Sequence, residues 1–552
     1  MRQKFRAGLI GSALALVVST CVVAPSLAGA SGQVPLNLDN EQGSLWSCSF
    51  NPFIPSVPLS LSVGVTYETL DFVNALENAK VTPWLASKYV WSNNNKTLTF
   101  TIRSGVKWTD GQPFSAADVA YTFNLIKKYP SLDLNAVWSV LSSVKQVGSD
   151  QVVFNFSTSA VPYFYYVAGQ VPIVPQHIWS KLKNPTTDPI VKPIGTGGYL
   201  MSKCTGQNIQ WTANPHYWQA GLAQVKVVNM PAFTSNNTAN EYLATGQSQW
   251  GSQFIPNIKT YYVAKKAGNS YWFPPVANVA LFPNLTVTPL NDVHVRQAIS
   301  YGIDRSSVSK IGEYGYEPPA SQTGIVSPTF SSWSSSAAVT AAGKSYDPAK
   351  AESILKADGY KKDSSGIFAK NGKELALTVI TNGGYSDWVA TMQVVSNELA
   401  KVGIKLTVSG VAANNFYADV YAGKYQLAYN AETGGPAPFY EMRQWLYSKN
   451  SAPIGTAASS NWERFKSPAV DALLNQYAAT TSTATQHTIV NKLQMIMVQQ
   501  LPVIPLLEEV DWFQYNTKAF SGFPTPSNAY AQPGLYNNPD WGVVLLHLKP
   551  IK

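Results

Sequence analysis

Carboxylates come first among the side chains able to do chemistry. Asp419, Glu432 and Glu441 stand in one stretch of chain, and a pair of such groups is what glycoside hydrolysis uses, one as acid and one as base or nucleophile. Their spacing matches no recognisable motif, which leaves a secreted glycoside hydrolase as a remote alternative. The five histidines, His177, His216, His294, His487 and His547, are scattered, with no H-E-x-x-H or comparable ligand spacing. Two Ser-x-x-Lys strings, Ser142–Lys145 and Ser307–Lys310, lack the companion elements of serine acyl-transferases. Gly195-Thr196-Gly197-Gly198 lacks the Lys-Ser/Thr of a phosphate loop and reads as a tight turn between strands. No nucleophile, base and oxyanion donor assemble, so the expectation is a non-enzyme with no metal and no cofactor.

Aromatic rings are the other chemical resource. The chain has 552 residues, 12% of them aromatic and only 13% charged, with 16 tryptophans. Rings of this kind stack on the C–H faces of sugars, although most must be core. A chain this long needs at least two domains. Its 45% apolar content is ordinary, and so many aromatic residues against so few charges exclude disorder. The net charge of +9 comes with no long basic run, so no nucleic-acid partner is expected.

The N-terminus points to export. Arg2, Lys4 and Arg6 precede an apolar stretch from Leu9 to Val23, and Ala28-Gly29-Ala30 supplies a cleavage site. Residues 1–30 therefore read as a signal peptide. Cys21 offers a possible lipid anchor, but Thr20 and Val18 before it fit such a signal poorly, and cleavage after Ala30 is preferred. Cys48 and Cys204 remain, as a disulfide or as two buried thiols.

The elements that must position these residues read as α/β. Leu98–Ile102 alternates as a strand, and Ser115-x-x-Asp118 is a capping box opening a helix to about Lys128. Asp347-Pro348 caps a helix that Gly359 ends. Asn371-Gly372 signals a hairpin between Ile367–Lys370 and Glu374–Ile380. Trp388, Met392, Val395, Leu399 and Val402 mark one helical face, Gly403 stops it, and Ile404, Leu406 and Val408 begin a strand. That is a βαβ unit, whose crossover should be right-handed. Ser467-Pro468 opens a further helix, and Leu493, Ile496, Met497 and Leu501 pattern another that ends before Pro502.

The stretch Phe100–Phe123, FTIRSGVKWTDGQPFSAADVAYTF, resembles the signature of the family 5 extracytoplasmic solute-binding proteins, the dipeptide, oligopeptide and nickel binders of ABC importers. Tyr67-Glu68-Thr69-Leu70, Ile194–Tyr199, Asn291–Ile299 with Gly302–Arg305, Tyr346–Ala351 and Leu501–Leu506 continue the resemblance in order. It implies a type II periplasmic-binding fold of two lobes with mixed sheets. Residues 31–72, 188–284 and 508–552 would form lobe I, 73–187 a domain inserted in it, and 285–507 lobe II. It also implies a monomer in the periplasm or on the outer face of the cytoplasmic membrane, serving an ABC permease and its ATPase.

Peptide-binding members carry W-x-x-D-x-x-D-P-x-x-F, whose first Asp takes the ligand's α-amino group. In Tyr429–Phe439, Glu432 stands at that Asp and Gly435 at the second. Gly434-Gly435-Pro436-x-Pro438-Phe439-Tyr440 and Gln249–Pro256 resemble the oligosaccharide-binding branch instead. The ligand expected is thus an oligomeric solute, oligosaccharide slightly ahead of oligopeptide. Trp46, Asn51 and Trp250, with Trp388, Glu432, Tyr440 and Trp445, are the candidate ligand-binding residues.

Overall fold

The computed structural model describes residues 34–40, 44–54, 61–77, 79–432 and 434–551. The leader, Cys21 and the cleavage site lie outside them. No helix among the described residues is long and apolar enough to cross a membrane.

Strands and helices are numbered along the chain as β1 (Leu36–Asp39), β2 (Ala86–Ser92), β3 (Thr97–Ile102), α1 (Ala116–Lys128), β4 (Leu141–Val147), β5 (Gln151–Phe156), β6 (Tyr199–Thr205), β7 (Asn208–Ala213), β8 (Val227–Pro231), α2 (Asn236–Ala244), β9 (Trp250–Gly251), β10 (Asn269–Tyr271), β11 (Pro275–Pro283), β12 (Ala376–Asn382), α3 (Ser386–Lys401), β13 (Lys405–Val411), β14 (Leu427–Ala431), α4 (Pro438–Leu446), α5 (Thr483–Gln500), β15 (Ile504–Val510) and β16 (Gln514–Asn516). Three sheets carry the architecture. The first lobe holds seven strands in the order β10-β16-β9-β1-β8-β7-β6, and the second lobe five in the order β13-β12-β14-β11-β15. A four-stranded antiparallel sheet, β2-β3-β5-β4, forms the inserted unit, with α1 packed on it.

Local signals account for much of this. The Ser115 backbone N–H donates to Asp118 Oδ2 at 2.9 Å, one half of the capping box that opens α1. Helix α3 joins β12 to β13, which pair in parallel from Ala376↔Lys405 to Asn382↔Val411, so the βαβ unit is present. Asn371 and Gly372 both have positive φ (54° and 72°), the twist a two-residue hairpin needs. The hairpin pairs Phe368–Lys370 with Lys373–Glu374 only; the chain from Ala376 onward leaves it to join the five-stranded sheet.

Residues 275–283, which the resemblance places in the first lobe, are a strand of the second sheet. The reason is pairing: β11 lies antiparallel to both β14 and β15. The chain enters β11 from first-lobe strand β10 and leaves β15 into first-lobe strand β16, which makes β11 and β15 the crossover between lobes.

Several motifs turn out to be structural pins. Glu68 accepts hydrogen bonds from Trp84 Nε1 (2.6 Å), Tyr217 Oη (2.7 Å) and Trp218 Nε1 (2.9 Å), joining the first lobe to the inserted unit. Gly195 and Gly197 pack so tightly on the turn at Val65–Thr66 that a Cβ on either would strike its main-chain oxygens. The buried Arg305 guanidinium donates to the carbonyls of Pro505, Ser300 and Ser345 and to Ser300 Oγ and Gln322 Oε1. Arg296 closes the C-terminus of α5 by donating to the Gln500 and Leu501 carbonyls. Cys48 and Cys204 form a disulfide that fastens the segment after β1 to β6.

Candidate interlobe binding site

The second-lobe sheet sets the site. Its parallel strands β12 and β14 end at the same edge; a short loop after β12 leads to Asp387 and Trp388 at the start of α3, and Glu432 lies just past β14. Ligands of open α/β sheets bind outside the carboxyl ends of such strands. The antiparallel β11 begins, and β15 ends, at that same edge, which adds Glu508, Glu509 and, just beyond, Asp511.

The two lobes are closed over this edge. Asn236 Nδ2, at the start of α2 in the first lobe, donates to Asp387 Oδ1 at 3.1 Å. The Ile258 N–H donates to Tyr316 Oη at 2.9 Å. Around the second contact, Trp512 packs on Phe273 (4.9 Å between ring centres), Phe254 (5.7 Å) and Tyr316 (6.0 Å). The inserted unit closes the other side. Tyr440 Oη donates to the Pro162 carbonyl at 2.9 Å, and its ring meets those of Tyr165 (4.9 Å) and Tyr166 (5.3 Å). Arg443 lies about equally far from the rings of Tyr163, Tyr166 and Tyr447 (5.0, 5.1 and 5.0 Å) and donates from Nε to Tyr163 Oη at 3.2 Å.

Acidic groups dominate what is enclosed. Burial, reinforced by Asp387, raises the Glu313 carboxyl well above its ordinary value. Glu317 is raised by burial and then by Glu313, Glu509 and Asp387. Burial pushes Asp387 up to about 6, Glu508 to about 7, and Glu441 and Asp511 each to about 8. Glu432 is raised by burial and by Glu463 and Glu441. A protein of net charge +9 thus gathers buried carboxyls, all raised by desolvation, where its lobes meet.

Many polar atoms here have no hydrogen-bond partner among the described residues. They include Glu313 Oε2, Glu317 Oε2, both oxygens of Glu432, Tyr429 Oη, Asn236 Oδ1, Asn382 Nδ2 and Arg443 Nη2. Buried polar groups are paired with great regularity in proteins, so these atoms mark where a ligand or water belongs. Glu441 is different, since it accepts from the Asn278 backbone N–H (2.7 Å) and Nδ2 (2.8 Å) and so clamps the crossover strand β11.

The expected site residues separate into two groups. Trp388 (against Tyr429, 5.3 Å), Glu432 and Tyr440 come to the interlobe region. Trp445 lies nearby on α4, fully buried with its ring against Gly324 and Nε1 unpartnered. Trp46, Asn51 and Trp250 are not brought to them. The indoles of Trp46 and Trp250 donate to the carbonyls of Met230 (2.9 Å) and Pro533 (3.1 Å) inside the first lobe. Asn51 spends its amide on the Pro185 and Asp188 carbonyls and the Phe53 N–H. The residues that sequence reasoning missed are Glu313, Glu317, Asp387, Tyr429, Arg443, Glu509 and Trp512. The available signal was Glu508-Glu509-Val510-Asp511-Trp512, an acidic cluster closing an apolar run. Elsewhere, Asp292, His294 and Asp358 bring ligand atoms within 4.8 Å of one another at the surface, where Lys370 already pairs Asp358 at 3.0 Å.

These carboxyls fix a pH dependence. Carboxyls normally titrate near 4 in the unfolded chain. Those raised in the fold bind protons there that the unfolded state has released, so the fold is favoured at low pH. That advantage is lost as pH rises from about 4 through the folded values of about 6 to 8. The melting temperature, followed by calorimetry, is expected to fall by at least about 5 °C from pH 5 to pH 8; a flat or rising profile contradicts the assignment.

A closed, two-lobed α/β chain with an enclosed polar cleft at the crossover is the architecture of the extracellular solute-binding proteins. The chain belongs to the bacterial extracellular solute-binding proteins, family 5, whose model matches residues 80–453. The glutathione-binding protein GsiB of Salmonella paratyphi A is 27% identical over 452 residues, 78% of this chain and 81% of that protein. The nickel-binding periplasmic protein of Escherichia coli is 24% identical over 439 residues, 76% of this chain and 80% of that protein. Among solved structures, the periplasmic oligopeptide-binding protein of an oligopeptide ABC transporter from Thermotoga maritima, with mannohexaose bound, superposes with a TM-score of 0.87. It is 26% identical, covering 94% of this chain and 98% of that one.

Proposed function

We propose that this chain is the exported substrate-binding component of an ABC importer and that it captures an oligosaccharide between its lobes. It would work as a monomer in the periplasm or on the outer membrane face, delivering the ligand to a permease driven by an ATPase. The observation that carries the sugar reading is the make-up of the cleft. The segments that meet there carry both the rings of Trp388, Tyr429 and Trp512 and unpartnered acceptors and donors, Glu317 Oε2, Asn236 Oδ1 and Asn382 Nδ2. Sugars need both, since C–H faces stack on rings while each hydroxyl both donates and accepts. The similarity to a structure holding mannohexaose supports the same reading.

Binding then works by closure. The ligand's extra contacts with the closed form draw the lobes together about β11 and β15. Glu441, holding Asn278 of β11 from α4, keeps the crossover in register with the second lobe.

Calorimetry with cello- and manno-oligosaccharides and with di- to pentapeptides tests this. Micromolar or tighter binding of an oligosaccharide is expected, with a change in tryptophan emission that Trp388→Phe reduces. Tight peptide binding without any sugar response overturns it in favour of an oligopeptide. That second reading has its own support, because Glu432 and Arg443 Nη2 offer unpartnered groups of opposite charge to a ligand with charged ends.

A further inference from the structure

Among the described residues, carboxyls outnumber cationic groups where the lobes meet. Glu313 and Glu317 flank the turn at Tyr314–Tyr316, and Glu313 Oε1 accepts from Thr391 Oγ1 at 2.8 Å on α3, one turn beyond Asp387, whose neighbour Trp388 packs on Tyr429; Glu509, on β15, is close enough to act on Glu317 and Tyr429. Each acts electrostatically on its neighbours. Glu317 feels Glu313, Glu509 and Asp387, and the Tyr429 hydroxyl feels all four. No arginine or lysine is among the groups acting on any of these four carboxyls. A second observation is independent of charge. Glu313 Oε2, Glu317 Oε2 and Tyr429 Oη are buried acceptors without a hydrogen-bond partner among the described residues. The bond from Asn236 Nδ2 to Asp387 Oδ1, which crosses the cleft here, leaves Asn236 Oδ1 unpartnered as well.

Buried carboxylates short of partners are costly: such a group either holds a proton, as the raised values here describe, or meets a partner of opposite charge with hydrogen-bond donors. A primary ammonium supplies one positive charge and three donors. The rings of Tyr429 and Trp388, 5.3 Å apart, offer it an electron-rich wall.

We propose that the cleft selects an oligosaccharide bearing free amines, a hexosamine oligomer, and that Glu313, Glu317, Asp387 and Glu509 beside Tyr429 and Trp388 form an ammonium subsite. The inference rests on the oligosaccharide reading and narrows it. An oligomer with a positive charge on each unit suits the site better than a peptide with one charged amine and one carboxylate. Glu432 adds a further buried carboxyl with both oxygens unpartnered, against one arginine, Arg443, beside the tyrosines of the inserted unit; Glu463 has Arg464 as its own neighbour.

The test is titration calorimetry of the full mature chain with glucosamine pentamer, its fully N-acetylated counterpart, cellopentaose and tetra-alanine, with calcium chloride alone as a control. The free-amine pentamer should bind at least tenfold more tightly than the N-acetylated one, and Glu313→Gln and Glu317→Gln should each cut that ratio at least fivefold. The comparison of the two pentamers on the unaltered protein carries the test by itself if a variant fails to fold. Equal affinity for the acetylated or neutral pentamers overturns the ammonium subsite and leaves the oligosaccharide reading standing. Binding of tetra-alanine alone overturns both. Calcium binding that blocks the glucosamine pentamer assigns the cluster to a metal and overturns the subsite.

Discussion

Trp250→Ala is expected to lower stability by about 3–5 kcal/mol, the range for truncating a buried tryptophan, while the folded fraction keeps its ligand affinity. The indole is fully buried, meets the rings of Phe513 and Phe523 edge-on at 6.3 and 6.1 Å, and donates to the Pro533 carbonyl. Truncation removes that packing and leaves a buried carbonyl without its donor. For a lobe of this size the melting temperature should drop by about 6–20 °C. Calorimetric melting followed by ligand titration at low temperature separates the two effects. A variant with unchanged melting but lost binding would put Trp250 in the ligand's path and reject its core assignment.

Loss of the Cys48–Cys204 bridge is expected to cost about 2–5 kcal/mol. The bridge joins positions 156 residues apart, so reduction frees a long loop in the unfolded chain. In the native state the same segment is held by the Trp46 N–H on Gly206 O (3.0 Å), the Trp46 indole on Met230 O and the Phe50 N–H on Pro189 O (2.7 Å). Those bonds stay, so the doubly substituted Cys48→Ser, Cys204→Ser protein should fold but melt earlier. Reductant should lower the melting temperature of the unaltered protein and leave the double variant unmoved. Equal sensitivity in both, or none in either, contradicts the bridge.

How much was legible in the sequence followed the range of the interactions. The capping box at Ser115, the caps at Asp347 and Ser467, and the βαβ unit were readable because each is written in a few neighbouring residues. The hairpin at Asn371-Gly372 was half readable: the turn is local, but whether Ala376–Asn382 returns along it or joins a larger sheet is decided by β13 and β14, far along the chain. The tryptophans show the same limit. Composition supplies rings without saying which are walled in, and Trp46 and Trp250 sit in the first lobe while Trp388 reaches the cleft. The acidic floor was least visible, because Glu313, Asp387 and Glu509 meet only through the ends of sheet strands. The family resemblance supplied Glu432 and the lobes, and strand pairing moved residues 275–283 across the boundary it implied.

The burial of the cleft carboxyls in the closed form has a kinetic consequence. In the open form that the proposed binding cycle requires, these groups face water, where physiological salt damps electrostatic forces beyond about 8 Å. With the lobes closed, mobile ions have no access to them. Raising the ionic strength should therefore change how fast a charged ligand is captured and leave its escape rate nearly untouched. In a stopped-flow trace that is a salt-dependent association phase over a salt-independent dissociation phase, so that once the lobes have shut, retention no longer depends on the medium outside.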